Sequence, residues 1–562
     1  MVGPMAKPTH ASLPLLTEIP AGCSLQKSSE GQRFTCIREG DTVHVLADRC
    51  PHQGYPLSQG TVRDGVLTCA WHNWKFDAET GASQFGGEGV RRFPSEVVEG
   101  RVVVDLRIDE AAERERLRGS MTQALNHGDG EALIRDGLRL GELGSSSHGR
   151  VGPALAWLAK LAAERVPYGF GHPLATLADI TSWIERGWLD DLTALALVAT
   201  MFGQEHGYRP VRALPEPVEG FAGACEDLRN ERRALAEAKA RAGARSGALD
   251  ALIRTEWLPF LGDHLYAYGH GAIYTTKIRR LHDCFPDASE DLAGALAVRL
   301  GWATAETALP PWKATREGYA AVDGLELGAG TLGEGRHAYE QAVLESERAA
   351  VDATVAAIGE GVGARALIQA SAHAAAIRVA RFDAAWEQRA DAEVTLLDVS
   401  HCLTFAEAAL GLLELASPRE AKRLAVQAAA FVGKLHRGDR PASETAALQP
   451  LSSTLAEAIV RRDPSDVALA DTMDAEARRA AYVELAPFAA SGVFVRPIFI
   501  AHAIKMTEAA YQLELGDPDA DHAYLAAALA TTLPRRPERS PTRSATLAEQ
   551  AVRDGRPPKG LY

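Results

Sequence analysis

The residues from Cys50 to His72 constrain this chain more than any other stretch. They read Cys50-Pro51-His52, then sixteen residues, then Cys69-Ala70-Trp71-His72. Two thiols and two imidazoles so closely spaced form a metal-ligand set. Thiolates suit zinc or iron–sulfur centres, and imidazoles suit zinc, copper and iron. A structural zinc site usually takes its cysteines as Cys-x2-Cys pairs. No such pair occurs here.

The pattern resembles the ligand set of a Rieske [2Fe-2S] centre, in which two histidines replace two cysteines and raise the reduction potential. The likeness continues through Gly54 and Leu57, and through Asn73-Trp74-Lys75-Phe76. It implies that Cys50 and Cys69 bind one iron and His52 and His72 the other. Respiratory members carry a further cysteine in each loop. Here Tyr55, Pro56 and Asn73 stand there, which resembles the ferredoxin and oxygenase branch, with a potential of about −150 mV. Such a centre passes one electron at a time.

The 562 residues exceed one domain and can bury two or more cores. A net charge of −14 argues against nucleic acid as the main partner. No apolar run approaches the roughly 20 residues that span a bilayer, so no membrane is expected. Met1 to Pro20, broken by four prolines, has no signal-peptide core. Cys23, Cys36, Cys225, Cys284 and Cys402 show no framework spacing and read as reduced thiols of a cytoplasmic protein.

Along the chain, residues 11–108 alternate in short β-type runs, such as Arg33 to Ile37, Thr42 to Leu46 and Arg101 to Leu106, with turns at Gly40-Asp41, Asp64-Gly65 and Glu99-Gly100. A small antiparallel β domain is expected there. Residues 109–149 read as a linking helix and a Gly/Ser loop. Residues 150–533 are rich in Ala, Leu, Glu and Arg with helix-period apolar spacing. The Pro- and Arg-rich tail, 534–562, has too little apolar content for a core. The fold class is therefore multidomain α+β, a small antiparallel β domain followed by a large all-α domain.

A cluster that relays electrons needs an acceptor. The α/β catalytic domain that usually accompanies a Rieske centre binds iron through two histidines and a carboxylate. Asp263-His264 with His270 is the nearest match, and its spacing is wrong. Four other histidines stand in distinctive settings: His172 in Tyr168-Gly169-Phe170-Gly171-His172-Pro173, His270 in Tyr268-Gly269-His270-Gly271-Ala272-Ile273, His401 in His401-Cys402-Leu403-Thr404, and His502 in His502-Ala503-Ile504-Lys505-Met506-Thr507-Glu508-Ala509. In this order they resemble the questin oxidase-like family, which oxidises anthraquinone-type polyketides. In part of that family four histidines and a carboxylated lysine hold a non-haem iron. The resemblance implies His172, His270, His401, His502 and Lys505 as ligands.

Three residues apart on a helix, His502 and Lys505 share a face. Burial near a metal disfavours the ammonium form, and the neutral amine can capture carbon dioxide. The carbamate would supply a negative charge that four neutral imidazoles lack. Lys277, seven residues after His270, is a rival. Asp398, three before His401, is a candidate to orient that ring. His206, His264 and His373 are reserve ligands. Tyr168, Tyr268, Tyr274 and Phe405 are candidates to line a pocket for a flat substrate.

The function expected is an oxygenase. A Rieske cluster delivers electrons to a mononuclear iron, which activates dioxygen to oxidise an aromatic or polyketide-like small molecule by monooxygenation or ring cleavage. The electrons come from a separate reductase or ferredoxin, and a homo-oligomer is compatible. Two alternatives stand beside it. Glu334-x-x-His337 and Asp398-x-x-His401 have di-iron spacing. The helical body is otherwise a docking scaffold for a non-catalytic electron carrier or sensor. Gly328 to Gly333 forms a GxGxxG, but without a βαβ setting it reads as a loop.

Overall fold

The computed structural model describes residues 9–22, 24–29, 32–85, 88–144, 146, 148–302, 312–383, 394–440, 449–491, 497–533, 549 and 552–553. Cys23 and almost all of the 534–562 tail lie outside these. The chain divides into two compact units, 1–144 with 544–562, and 145–543.

The first unit contains eleven strands: β1 His10–Leu15, β2 Ser24–Ser29, β3 Gln32–Glu39, β4 Thr42–Ala47, β5 Thr61–Arg63, β6 Val66–Thr68, β7 Lys75–Asp77, β8 Ser83–Phe85, β9 Arg92–Phe93, β10 Ser95–Val98 and β11 Arg101–Asp105. They form three antiparallel sheets, ordered β1-β11-β10, β2-β3-β4-β9 and β5-β6-β7-β8. Alternation explains the pairing. Val43 and Val45 of β4 and Val102 and Val104 of β11 bury every second side chain in one core with Phe34 and Phe93. A second core, of Ile37, Leu46, Leu57, Leu67 and Phe76, surrounds Cys50 and Cys69.

The segment after β11 is no simple connector. It forms a hairpin of α1 Glu110–Asn126 and α2 Gly130–Glu142, counted with the β unit. Asp109 and Asp129 accept from backbone amides at the two N-termini.

Four helices of the second unit matter most: α3 His172–Glu185, α4 Tyr266–Cys284, α5 Leu396–Leu412 and α6 Pro497–Gly516. Helix α4 packs on α3 and α5, and α6 on the same two, so the four close a ring. Glu508 of α6 ties α3 by accepting from Trp183 Nε1 at 2.9 Å and from Arg186 at 2.7 and 2.8 Å. The Gly328–Gly333 segment is structural. A Cβ on Gly328 would lie 1.9 Å from the Gly361 carbonyl oxygen, and Gly330 exchanges backbone bonds with Gly361 and Gly363. Among the described residues no helix is long and apolar enough to cross a membrane.

Helix α4 begins abnormally. Ala267, Tyr268 and Gly269 all have positive φ (46°, 62° and 76°), and right-handed helix resumes at His270. The two non-glycine residues cost about 1–2 kcal/mol each. A Cβ on Gly269 would lie 2.4 Å from the Phe405 ring. Gly269→Ala is therefore expected to destabilise the helical unit by about 2 kcal/mol, read as a lower unfolding midpoint by circular dichroism.

Candidate metal centres

The first centre rests on two matched turns. In one, the Cys50 amide donates to the Tyr55 carbonyl (2.8 Å) and the Gly54 amide to the Cys50 carbonyl (2.7 Å); in the other, Cys69 donates to Trp74 (2.8 Å) and Asn73 to Cys69 (3.2 Å). Gly54 and Asn73 both take the left-handed conformation, at φ 72° and 58°. Glycine and asparagine are the residues that tolerate it. The turns bring Cys50 and Cys69 side by side within the core, and set the His52 and His72 rings 4.5 Å apart, edge to face. His52 stacks on Trp74 at 4.9 Å, while Trp71, 53 % exposed, stacks on Tyr55 at 4.1 Å.

Burial, and then the nearby Cys69, push the Cys50 thiol up to about 12. Two thiolates can share this pocket only if metal charge compensates them, which fits iron at the sulfur end and imidazoles at the wet end. The described cysteines are all free of disulfides.

The second centre lies inside the four-helix ring. His172, His401 and His502 offer nitrogens all within 4.8 Å of one another. His270 joins them through His401, at 2.9 Å between Nε2 atoms. The tautomers decide what this means. His401 Nδ1 lies 2.5 Å from the Leu397 carbonyl and His502 Nδ1 2.6 Å from that of Ile498. A carbonyl only accepts, so both Nδ1 atoms carry hydrogen. In a neutral ring Nε2 is then a lone pair, and the two Nε2 atoms face each other at 3.1 Å. Burial first, then neighbouring charges, hold His172 and His270 well below the ordinary imidazole range, and burial brings His401 down to about 3. Neutral lone pairs in such contact repel unless a cation lies among them. His172 Nδ1 bonds the Tyr274 hydroxyl at 2.6 Å, which leaves its Nε2 for the centre.

Lys505 is 1 % exposed, and its Nζ has no hydrogen-bond partner among the described residues. Burial brings it down to about 7. Its charge is felt at His172, His270 and His401. The rival Lys277 is committed elsewhere. It pairs with Asp179 at 2.8 Å and Glu407 at 3.5 Å, and those carboxylates raise its pKa despite burial.

Several expectations are corrected. Asp398 does not orient His401. Its carboxylate accepts from the Thr395 amide (2.7 Å) and hydroxyl (2.9 Å) as a helix cap and meets the Tyr268 hydroxyl, while Leu397 holds the ring. Glu334 and His337 are exposed and do not build a di-iron site. His373 bonds Glu340 and Asp521, which raise it to about 9. His206 is buried and brought by burial down to about 3, and His264 lies tilted against Phe260 at 4.7 Å; neither is grouped with His172, His401 and His502. Of the aromatics, Phe405 is core, Tyr168 lies at the surface against Trp302, and Tyr268, 51 % exposed, lies over the His401 ring at 5.5 Å. The Leu397 and Ile498 carbonyls were missed, since a backbone carbonyl has no sequence signature.

Residues 13–91 match the family model described as the Rieske [2Fe-2S] domain. The chain is 48 % identical over 48 residues to the 4beta-methylsterol monooxygenase of Methylococcus capsulatus, which covers 8 % of this chain and 13 % of that protein. It is 42 % identical over 65 residues to the 3-chlorobenzoate-3,4-dioxygenase oxygenase subunit of Comamonas testosteroni, covering 11 % and 15 %. To the anthranilate 1,2-dioxygenase ferredoxin subunit of Burkholderia cepacia it is 37 % identical over 79 residues, covering 14 % of this chain and 73 % of that subunit. The match thus spans only about a seventh of the two oxygenases and most of the ferredoxin.

The titration of Lys505 has a thermodynamic consequence. With its folded pKa lowered to about 7 and an unfolded value of about 10.4, the unfolded chain holds more protons between those pH values. Stability from this group therefore rises with pH across that window. Metal-stripped protein is expected to gain stability relative to its Lys505→Met variant as pH climbs from about 7 to about 10, measured by urea unfolding in carbon-dioxide-free buffer.

Proposed function

The N-terminal domain belongs to the Rieske [2Fe-2S] family, and from that premise we propose that this protein is a non-haem iron oxygenase fed with electrons by its own cluster. The observation that carries the reading is the convergence of the His172, His270, His401 and His502 imidazoles inside a closed ring of helices, with His401 and His502 both tethered through Nδ1 and turned Nε2 to Nε2. Lys505, as its carbamate, is the fifth ligand. The iron, when bound, supplies dioxygen activation driven by single electrons from the cluster.

The chain's own residues do the remaining work. Leu397, Ile498 and Tyr274 hold three of the rings so that each presents Nε2. Such tethering fixes the tautomer and ring orientation of a ligand histidine. The buried, neutral amine of Lys505 attacks carbon dioxide at carbon; the new N–C bond forms as one C=O π bond opens onto oxygen, and one proton passes from the nitrogen to solvent. The resulting carboxylate places one negative charge beside four neutral donors. Asp179 and Glu407 hold Lys277 charged and out of that role. Tyr268, half exposed and stacked on His401, offers a flat face on the solvent side of the site. That suits an aromatic or polyketide-like substrate, in keeping with the questin oxidase-like resemblance and with relatives named for chlorobenzoate and anthranilate oxidation. Reduction equivalents come from a separate ferredoxin or reductase.

Metal analysis tests the reading. About three irons per chain are expected, two in the cluster and one in the helical unit. His401→Ala and His502→Ala should each lose the third iron and reduce substrate-dependent dioxygen uptake by at least about a hundredfold, while the visible and EPR signals of the cluster persist. Two irons in the parent, with both variants as active as it is, would instead make the protein an electron carrier.

A further inference from the structure

The helical hairpin that follows the β domain grips the first ligand loop. Arg135 of α2 donates from Nη1 to the carbonyl of Pro51, between Cys50 and His52, at 3.3 Å. The same guanidinium bonds Glu88 at 2.7 Å and Asp136 at 2.9 Å. Glu88 also takes Arg116 at 2.7 Å and Arg139 at 3.0 Å. Asp136 is wholly buried, and accepts from Arg139 at 3.0 Å and the Ser120 hydroxyl at 2.7 Å. A cavity of about 340 Å³ runs beside this network, lined by Cys50, His52, Glu88, Arg116, Arg135 and Arg139 among others. Three arginines and two acids are therefore concentrated on the Cys50 flank of the cluster site.

We propose that Arg135 is a positioning residue that fixes the first ligand loop and sets the reduction potential of the cluster by its charge, with Glu88 as the opposing counter-charge. The inference rests on ligation by Cys50, His52, Cys69 and His72. Reduction adds one electron from an external one-electron donor, with no bond made or broken, so the site gains one negative charge. Net charge, hydrogen bonding and solvent exposure set the potential of such clusters. A fixed cation beside the loop favours the reduced form, and a fixed anion opposes it. The pair thus acts with opposite signs through one set of contacts.

Redox titration of the full-length holoprotein, followed by EPR, tests this. Arg135→Gln should lower the reduced-to-oxidised ratio at a fixed potential about tenfold, equivalent to about 59 mV for one electron. Glu88→Gln should raise it. Arg135→Lys keeps the charge and should fall between Arg135→Gln and the parent. A purely structural network predicts something else: either loss loosens the hairpin and wets the cluster, so both shifts share one sign. Shifts of the same sign, or none in either variant, overturn the proposal. If Arg135→Gln does not retain iron and sulfide, the opposite displacements expected of Arg135→Lys and Glu88→Gln decide it. A parent protein without a [2Fe-2S] EPR signal would fail the ligand assignment itself, a separate outcome from unshifted potentials.

Discussion

Two imidazole lone pairs pointing at each other across 3.1 Å are the constraint on which the helical unit turns. Their direction follows from the carbonyls four residues earlier, which require hydrogen on Nδ1 and leave no other tautomer. A protein that buries such a contact pays for it in repulsion, unless the site is built to receive positive charge. The closed arrangement of α3 to α6 and the Glu508 bonds to Trp183 and Arg186 keep those rings from moving apart. The left-handed entry to α4 delivers His270 from a strained turn, and strain of that kind persists only where packing holds it.

The two buried lysines show how one environment yields two chemistries. Lys277 and Lys505 are both sequestered, yet carboxylates surround the first and histidines the second. Burial alone would neutralise either one. Asp179 and Glu407 reverse that for Lys277, whereas Lys505 has only distant compensation from Asp179 and is repelled by Lys277. One amine is held as an ammonium, and the other is driven toward its neutral form.

Much of this was legible in the sequence, and the reasons differ by residue. Cys50, His52, Cys69 and His72 could be found because short spacing fixes their geometry locally. The β unit and helical body could be found because alternation and helical period record burial directly. His172, His270, His401 and His502 lie far apart in sequence, so only their local motifs identified them, and the ring of helices had to bring them together. Asp398 is ambiguous in sequence because a helix spacing of three serves a cap as well as a ligand partner, and in the fold it caps with Thr395. The hairpin of 109–142 looks like a linker in sequence because its arginines and acids read as solvent-facing, whereas Glu88 and Asp136 are buried among them in the fold. Leu397 and Ile498 act through carbonyls, which every residue has.

The paired turns at Cys50 and Cys69 share their backbone bonds and their left-handed fifth residue, yet the histidine is the third residue of one turn and the fourth of the other. The near-twofold repeat is therefore broken only on the imidazole side. One ring is pressed against an indole, and the other faces water. The two imidazoles therefore sit in different surroundings, one half-buried against Trp74 and the other exposed to solvent.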